Sequence, residues 1–413
     1  MDRRRFHKAL LFFLANMFFL PTRSRGNSNS RPGYRNQENT ETGSKVGKGL
    51  VTGNTTGEHR NADEHARKTS RVIRVQSSGI ILKDFTPANY LDFIDGEKLN
   101  NVLEEGLIKI TGKNDVKSAW LDILINYRSG DKIAIKPNFN SLNHGLMYTI
   151  TSPQLINTVV KQLVDIVKVQ PQNIYVYDLC KEITHDIVRK SIHYPVQYVE
   201  STDSRTLIEK IKLRLRYGPA SADRSAEIEM RETIRDEAGN RLQCYIPRVI
   251  VQAQHLINMP LLTNHIYIVN SGAMKNHYGT VRFSNYESYP VSLHGTVLVK
   301  SVTDINRNPH IKNKTRIIIA DGIFGVFDRG EGPGKQPWKT FNNEFPKSIF
   351  LSRDPVAIDS VMASFVARER KSRKLAVLSH DYLEEAAKNG LGVNDYQPEG
   401  SSFAKIRYEE LHV

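Results

Sequence analysis

Cysteine is almost missing from this chain: Cys180 and Cys244 are the only two among 413 residues. They form no CxxC pair, so neither a cysteine-only zinc site nor an iron–sulfur cluster can be assembled within one chain. Two buried free thiols fit this usage better than one disulfide, which an oxidising compartment would permit. The chain also lacks the GxSxG elbow, the HExxH zinc helix and the GxGxxG dinucleotide turn. The glycine-rich segment 330–335 (GEGPGK) is not a phosphate-binding P-loop, because position 329 is Arg and position 336 is Gln. A tight turn and a substrate lid stay equally open for it. No dense Lys/Arg stripe interleaved with aromatics is present, which argues against a nucleic-acid partner despite a net charge of +14. Half of that excess falls in residues 1–70, so the remainder is only mildly basic for its size.

Long apolar runs are missing too. The longest, residues 9–20 (ALLFFLANMFFL), is shorter than the roughly 20 residues needed to span a bilayer. It follows a charged start, MDRRRFHK, in which Arg3 and Arg4 lie just ahead of Phe6 and Lys8. This pattern predicts a signal peptide of the twin-arginine type over residues 1–25, a route that carries folded proteins. No A-x-A cleavage site stands near Pro21, so an uncleaved N-terminal anchor remains open. Residues 26–70 are rich in Asn, Ser, Thr, Gly and Arg and poor in large apolar side chains. Such a stretch cannot bury enough surface to offset its ordering entropy, and a disordered linker is expected. The expected location is periplasmic or otherwise extracytoplasmic in a bacterium, with the twin-arginine export machinery as a partner.

What remains, residues 71–413, reads as an α/β domain. Residues 132–136 (KIAIK) read as a strand. Thr151-Ser152-Pro153 reads as a helix start, with Ser152 as cap and Pro153 in the first turn. Leu155, Ile156, Val159, Val160, Leu163 and Val167 then recur at helical spacing. Residues 173–178 form a second strand, 182–192 a helix and 196–199 a third strand. The charged stretch 201–243 reads as an insertion or hairpin. Further strands are expected at 255–260, 315–321 and 348–352, with a helix starting at Asp354-Pro355. This alternation predicts a mostly parallel sheet with flanking helices, built from two α/β halves.

Ligands of open α/β sheets bind at the carboxyl ends of the strands, so polar residues placed there are the candidates. Lys136 and Asn138 follow a strand, and Lys136 can hold a phosphate or carboxylate. Asp178 and Asp321 each end an apolar strand, where a carboxylate can act as a base, a metal ligand or a cap. Asp321-Gly322 also fits a turn. The densest stretch is 264–279, with Asn264, His265, Lys275, Asn276 and His277 set among small residues. His265 and His277 can ligate a divalent metal, and Lys275 can bind an anion. His294, before Gly295, can join them. Asp354 reads as a helix cap, and Asp359 lies one turn into that helix.

Taken in order, Lys136-Pro137-Asn138, Thr151-Ser152-Pro153, Asp178, Met259-Pro260, Asn264-His265, the segment 272–276 (GAMKN) with Gly279, His294, Asp321-Gly322, 330–333 (GEGP) and 354–359 (DPVAID) resemble the family called domain of unknown function 362. The resemblance covers about residues 130–370 and implies an α/β fold with a shared polar pocket. Relatives commonly carry Lys-Thr before the histidine that aligns with His265; here Thr263-Asn264 precede it. Some relatives also carry ferredoxin-like cysteine motifs, which this chain lacks, so no iron–sulfur cluster is expected. The expected function is an enzyme acting on a small anionic substrate or cofactor, with metal assistance as an option. Lys136, Asn138, Lys275 and Asn276 would bind the anion, while Asp178, His265, His294 and Asp321 would supply the chemistry. The alternative is a small-anion-binding protein without turnover.

Overall fold

The computed structural model describes residues 70–82, 90–139, 150–180, 183, 187–200, 218–285, 291–328, 336–400 and 402–413. The expected signal segment, the expected linker up to residue 69 and the glycine-rich segment 330–335 lie outside the described residues.

Strand β1 (Arg71–Gln76) is followed by helices α1 (Gly96–Thr111) and α2 (Val116–Ile123). Then come β2 (Ile133–Pro137), α3 (Pro153–Asp165), β3 (Ile174–Asp178) and β4 (Gln197–Glu200). Of the helix expected at 182–192, the described residues show a single 3-10 turn, Arg189–Ser191. The charged stretch supplies β5 (Ala222–Glu227), which pairs with β6 (Cys244–Pro247). After the short α4 (Arg248–Gln252) the chain continues through β7 (His255–Met259), β8 (Leu261–Thr263), α5 (Ala273–Asn276) and β9 (Arg282–Phe283). Helices α6 (Leu298–Arg307) and α7 (Pro309–Lys312) lead into β10 (Thr315–Val326) and β11 (Ser348–Ser352). Helices α8 (Pro355–Ser372) and α9 (Asp381–Lys388) and strand β12 (Arg407–His412) complete the domain.

Strands β5, β6 and β9 make a small three-stranded sheet. The other nine form one sheet in the order β12-β1-β11-β10-β7-β2-β3-β4, with β8 pairing alongside β10. Only β11 runs against its neighbours; all other pairings are parallel. The mostly parallel α/β sheet expected from the alternation is what the chain forms. The strands before and after the charged stretch meet edge to edge at β2 and β7.

A parallel sheet covered on both faces needs apolar residues at successive positions, and β10 supplies them. Ile317 and Ile319 enter the core built with Leu103, Trp120 and Val159 from α1, α2 and α3. Ile318 and Ala320 enter the opposite core with Val302, Val361 and Tyr382 from α6, α8 and α9. Sequence predicted a turn at Asp321-Gly322, yet β10 runs through both residues to Val326. The reason is tertiary pairing: Asp321 and Gly322 stand opposite Ile349 and Ser348 of β11, and the ladder outweighs the local turn preference.

Helix α8 begins as its sequence indicates. Asp354 Oδ1 accepts the amides of Val356 and Ala357, both at 2.9 Å, and Pro355 takes the first turn. Helix α3 departs from expectation, because Ser152 makes no side-chain capping bond. Asp321 Oδ2 accepts the Ser152 amide at 2.7 Å instead, so a carboxylate from β10 sits at this helix end.

Candidate functional site

The chain winds outward from β2 through β3 to β4, then returns to the other side of β2 with β7 and moves on to β10. The direction of winding therefore reverses between β2 and β7. At such a point the loops leave in opposite directions and open a crevice beyond the carboxyl ends of the strands. Lys136 and Pro137, at the end of β2, pair there with Asn258 and Met259 of β7.

Lys136 is 1 % exposed. Its Nζ donates to Asp178 Oδ2 at 2.9 Å, to the Pro137 carbonyl at 2.7 Å and to Asn276 Oδ1 at 3.5 Å. Asp178 Oδ1 in turn accepts the Cys180 amide at 2.9 Å. Asn276 Nδ2 donates to the Lys136 carbonyl at 2.9 Å and to Asn258 Oδ1 at 2.8 Å. Asn258 Nδ2 donates to the Ala273 carbonyl at 2.8 Å and faces His277 Nε2 at 3.3 Å. The ammonium and the two backbone carbonyls can act in only one sense, which fixes the orientation of both amides. His277 Nε2 must therefore accept, and the ring proton sits on Nδ1, 3.1 Å from Thr280 Oγ1. Thr280 continues to the Tyr177 hydroxyl at 2.9 Å. Every member of this chain from Lys136 to Tyr177 is buried.

Burial, with the Lys136 charge as the second cause, pushes the His277 imidazole down to about 3. Its folded value thus lies below its unfolded one. The stability it contributes is complete above about pH 6.5 and is lost as pH falls toward 3. Burial likewise raises the Tyr177 hydroxyl well above the usual phenol range. Gly279 closes the network from above: a Cβ there would lie 2.8 Å from Lys136 Nζ and 3.0 Å from Asp178 Oδ1. Only a glycine lets the backbone approach this pair so closely.

A second group surrounds the Tyr278 ring. Lys275 Nζ lies 4.3 Å from the ring centroid, a cation–π distance, and the His294 ring meets its edge at 5.3 Å. His294 stacks on His265 with centroids 5.4 Å apart and planes 17° from parallel, and Tyr267 leans on both rings. His265 Nδ1 accepts the Tyr267 amide at 3.2 Å, so neutral His265 carries its proton on Nε2. The Tyr278 hydroxyl is anchored on the Leu293 carbonyl at 2.8 Å.

The two groups share one short segment, α5, and a carboxylate holds its start. Asp359, wholly buried in α8, accepts the amides of Ala273 at 2.5 Å and Met274 at 3.1 Å. A Cβ on Gly272 would lie 2.0 Å from Asp359 Oδ1, so the approach again requires glycine. Burial raises the Asp359 carboxyl to about 7, against the opposing pull of the two amides.

The structure thus sorts the expected residues into three places. Lys136, Asp178, Asn276 and His277 share the buried network. Lys275, His265 and His294 share the aromatic group. Asn138 and Asp321 lie at the start of α3. The Asn138 amide donates to Thr151 Oγ1 at 2.9 Å, and the two oxygens of Asp321 accept the Ser152 and Ile323 amides at 2.7 and 2.9 Å. Three of these placements bear on the expected roles. Asp321 is committed to backbone amides as a helix cap, which leaves it poorly placed as a base. The Lys136 ammonium is neutralised by Asp178 and is not a ready anion contact. Of the two histidines expected to hold a metal, His277 has both ring nitrogens facing hydrogen-bond partners. Among the described residues no group of three His, Cys, Asp or Glu side chains could hold a metal ion. Cys180 and Cys244 form no disulfide with each other.

Asn258, Thr280, Tyr177, Tyr267 and Tyr278 were not singled out from sequence. Asn258 carried a signal: it is a polar residue inside the apolar run of HLINM, a strand closed to water along its whole length.

A sequence model described as "Domain of unknown function (DUF362)" matches residues 133–364, more than half of the chain. The chain belongs to this family. The DUF362 match starts at the first residue of β2 and ends within α8, so it holds the whole buried network together with Asp359. Strand β1, helices α1 and α2, helix α9 and strand β12 lie outside it. Among solved structures, the DUF362 chain is similar to the lactate racemase apoprotein from Thermoanaerobacterium thermosaccharolyticum, at 12% identity and a TM-score of 0.31. That likeness covers 71% of this chain and 58% of the racemase chain. No curated protein matches this DUF362 sequence.

Proposed function

We propose that the crevice binds a small anionic molecule and that the chain is an enzyme acting on it. The observation that supports this reading is the run of contacts that links Lys275, through Tyr278 and His294, to His265 beside the switch point of a parallel sheet. Lys275 supplies positive charge, and Nε2 of His265 is a donor suited to a carboxylate or phosphate oxygen. His294, half-buried and stacked on His265, is the acid–base candidate; the carboxylates Asp178 and Asp321 are committed to internal partners. A second reading, binding without turnover, draws on that same commitment.

Conversion and binding of candidate carboxylates and phosphates separate the two. In the enzyme reading, His294→Gln lowers turnover by about 100-fold or more while binding persists. Saturable binding with no product formed by the unaltered chain would decide for the binder.

We further propose that the protein leaves the cytoplasm folded, through twin-arginine export, and works in the periplasm or at an extracytoplasmic surface. The basis is the sequence of residues 3–20. Changing Arg3 and Arg4 together to Lys is expected to hold the folded protein in the cytoplasm. Export unchanged by that pair would overturn the proposal.

Among the described residues no helix is long and apolar enough to cross a membrane.

A further inference from the structure

The proposed anion site has an apolar rim. Large hydrophobic side chains in the described domain are almost all covered, and of the seven that stand exposed, three lie within three residues of His265 or His294. Ile266 and Tyr267, 46 % and 53 % exposed, directly follow His265, and Val291 is 42 % exposed. The Val291 carbonyl accepts the His294 amide at 2.9 Å, which places this residue one tight turn from the other histidine. Tyr267 is not loose: its ring lies 5.6 Å from His265 and 5.9 Å from His294, and its amide is tied to His265 Nδ1. Through His294 the histidine stack meets Tyr278, over which Lys275 lies, and both histidines also pack against the half-exposed Tyr267 ring, with exposed Ile266 and Val291 close by in sequence. Exposed apolar groups gathered beside convergent polar ones mark binding surfaces more often than chance placement does.

We infer that the ligand of this site carries a flat or branched apolar portion joined to its anionic group, an aryl or branched-chain carboxylate or phosphate rather than a bare oxyanion. The anionic end meets Lys275 and His265, and the apolar end lies on Tyr267, Ile266 and Val291. Tyrosine suits this position, because a ring fixed by two neighbours loses little freedom when a second flat group stacks on it. The inference rests on the anion-binding reading above and narrows it.

Binding of inorganic phosphate and of phenyl phosphate to the full chain, compared by titration calorimetry, tests it. Phenyl phosphate is expected to bind about tenfold more tightly than inorganic phosphate, the gain of one well-placed aromatic contact. Tyr267→Ala should reduce that ratio to about threefold or less; with its side chain half exposed, its removal opens no core cavity. Val291→Ser offers a second, independent reduction of the ratio. Equal affinities in the unaltered chain, or a ratio unmoved by both substitutions, would overturn the inference and leave anion binding standing. Failure of both phosphates and of their carboxylate counterparts, acetate and benzoate, to bind would remove the anion-binding reading and this inference with it.

Discussion

Replacing Lys136 by methionine is expected to destabilise the domain by about 3–5 kcal/mol, the usual cost of leaving one member of a buried ion pair without its partner. The expectation follows from how completely the pair is enclosed: the side chains of Lys136 and Asp178 are 1 % and 4 % exposed. Methionine matches the length of the lysine stem, so little volume is lost and the effect reports charge. Asp178→Asn should cost a similar amount, since it leaves the ammonium facing a neutral amide. The double variant should be less damaged than the sum of the two, because no unpaired charge remains. Denaturant unfolding of the four proteins measures the coupling. Additive losses would mean that the two side chains act independently and that water reaches them. A further consequence concerns the site: Asn276 leans on both the ammonium and the carbonyl of Lys136, so Lys136→Met should also loosen the segment bearing Lys275.

Asp359→Asn is expected to change how stability depends on pH between about 4 and 7. The Asp359 carboxyl has a folded value of about 7 against an ordinary 3.8, so the folded chain holds its proton where the unfolded chain has released it. The stability this group contributes is therefore complete below about pH 4 and is lost as pH rises through about 7. An asparagine does not titrate. Between pH 4 and 7 the variant should gain on the unaltered protein with a slope approaching about 1.4 kcal/mol per pH unit, and no further above that range. His277 works in the opposite sense over an overlapping range, so the difference between the two proteins, not either curve alone, isolates Asp359. Unfolding free energies at pH 4, 5.5, 7 and 8.5 suffice. A flat difference would show that Asp359 stays ionised throughout, the amides of Ala273 and Met274 outweighing burial.

Much of this was legible in the sequence, and the reasons for success and failure differ by element. The strands β2, β3, β7 and β11 were found because buried strands of a parallel sheet are short apolar runs with polar residues at their ends. Helix α8 was found because Asp354-Pro355 carries its own capping chemistry. Helix α3 was placed for a partly mistaken reason: the Thr-Ser-Pro start is real, yet the cap arrives from Asp321, 169 residues away. No local pattern encodes such a partner. The site shows the same division. Lys136, Asp178, Asn276 and His277 stood out as polar residues at strand ends or in a Gly-rich segment, but sequence could not say that the first two neutralise each other. Asn258 and Thr280 were missed because their role exists only once β2, β7 and α5 are side by side. Asp359 was noticed inside its helix, although nothing local tied it to Ala273.

The pairing of β12 with β1 has a consequence for the making of the protein. Arg71 of β1 and Glu409 of β12 form an ion pair across 338 residues of sequence, along an edge where the two strands run parallel for their full length. During vectorial synthesis β1 leaves the ribosome long before β12, its outer neighbour in the sheet, exists. A chain terminated early would present Val72, Ile73 and Val75 on a bare edge able to recruit strands from other molecules. Covering that edge therefore waits on β12: until it pairs, the outer side of β1 stays open.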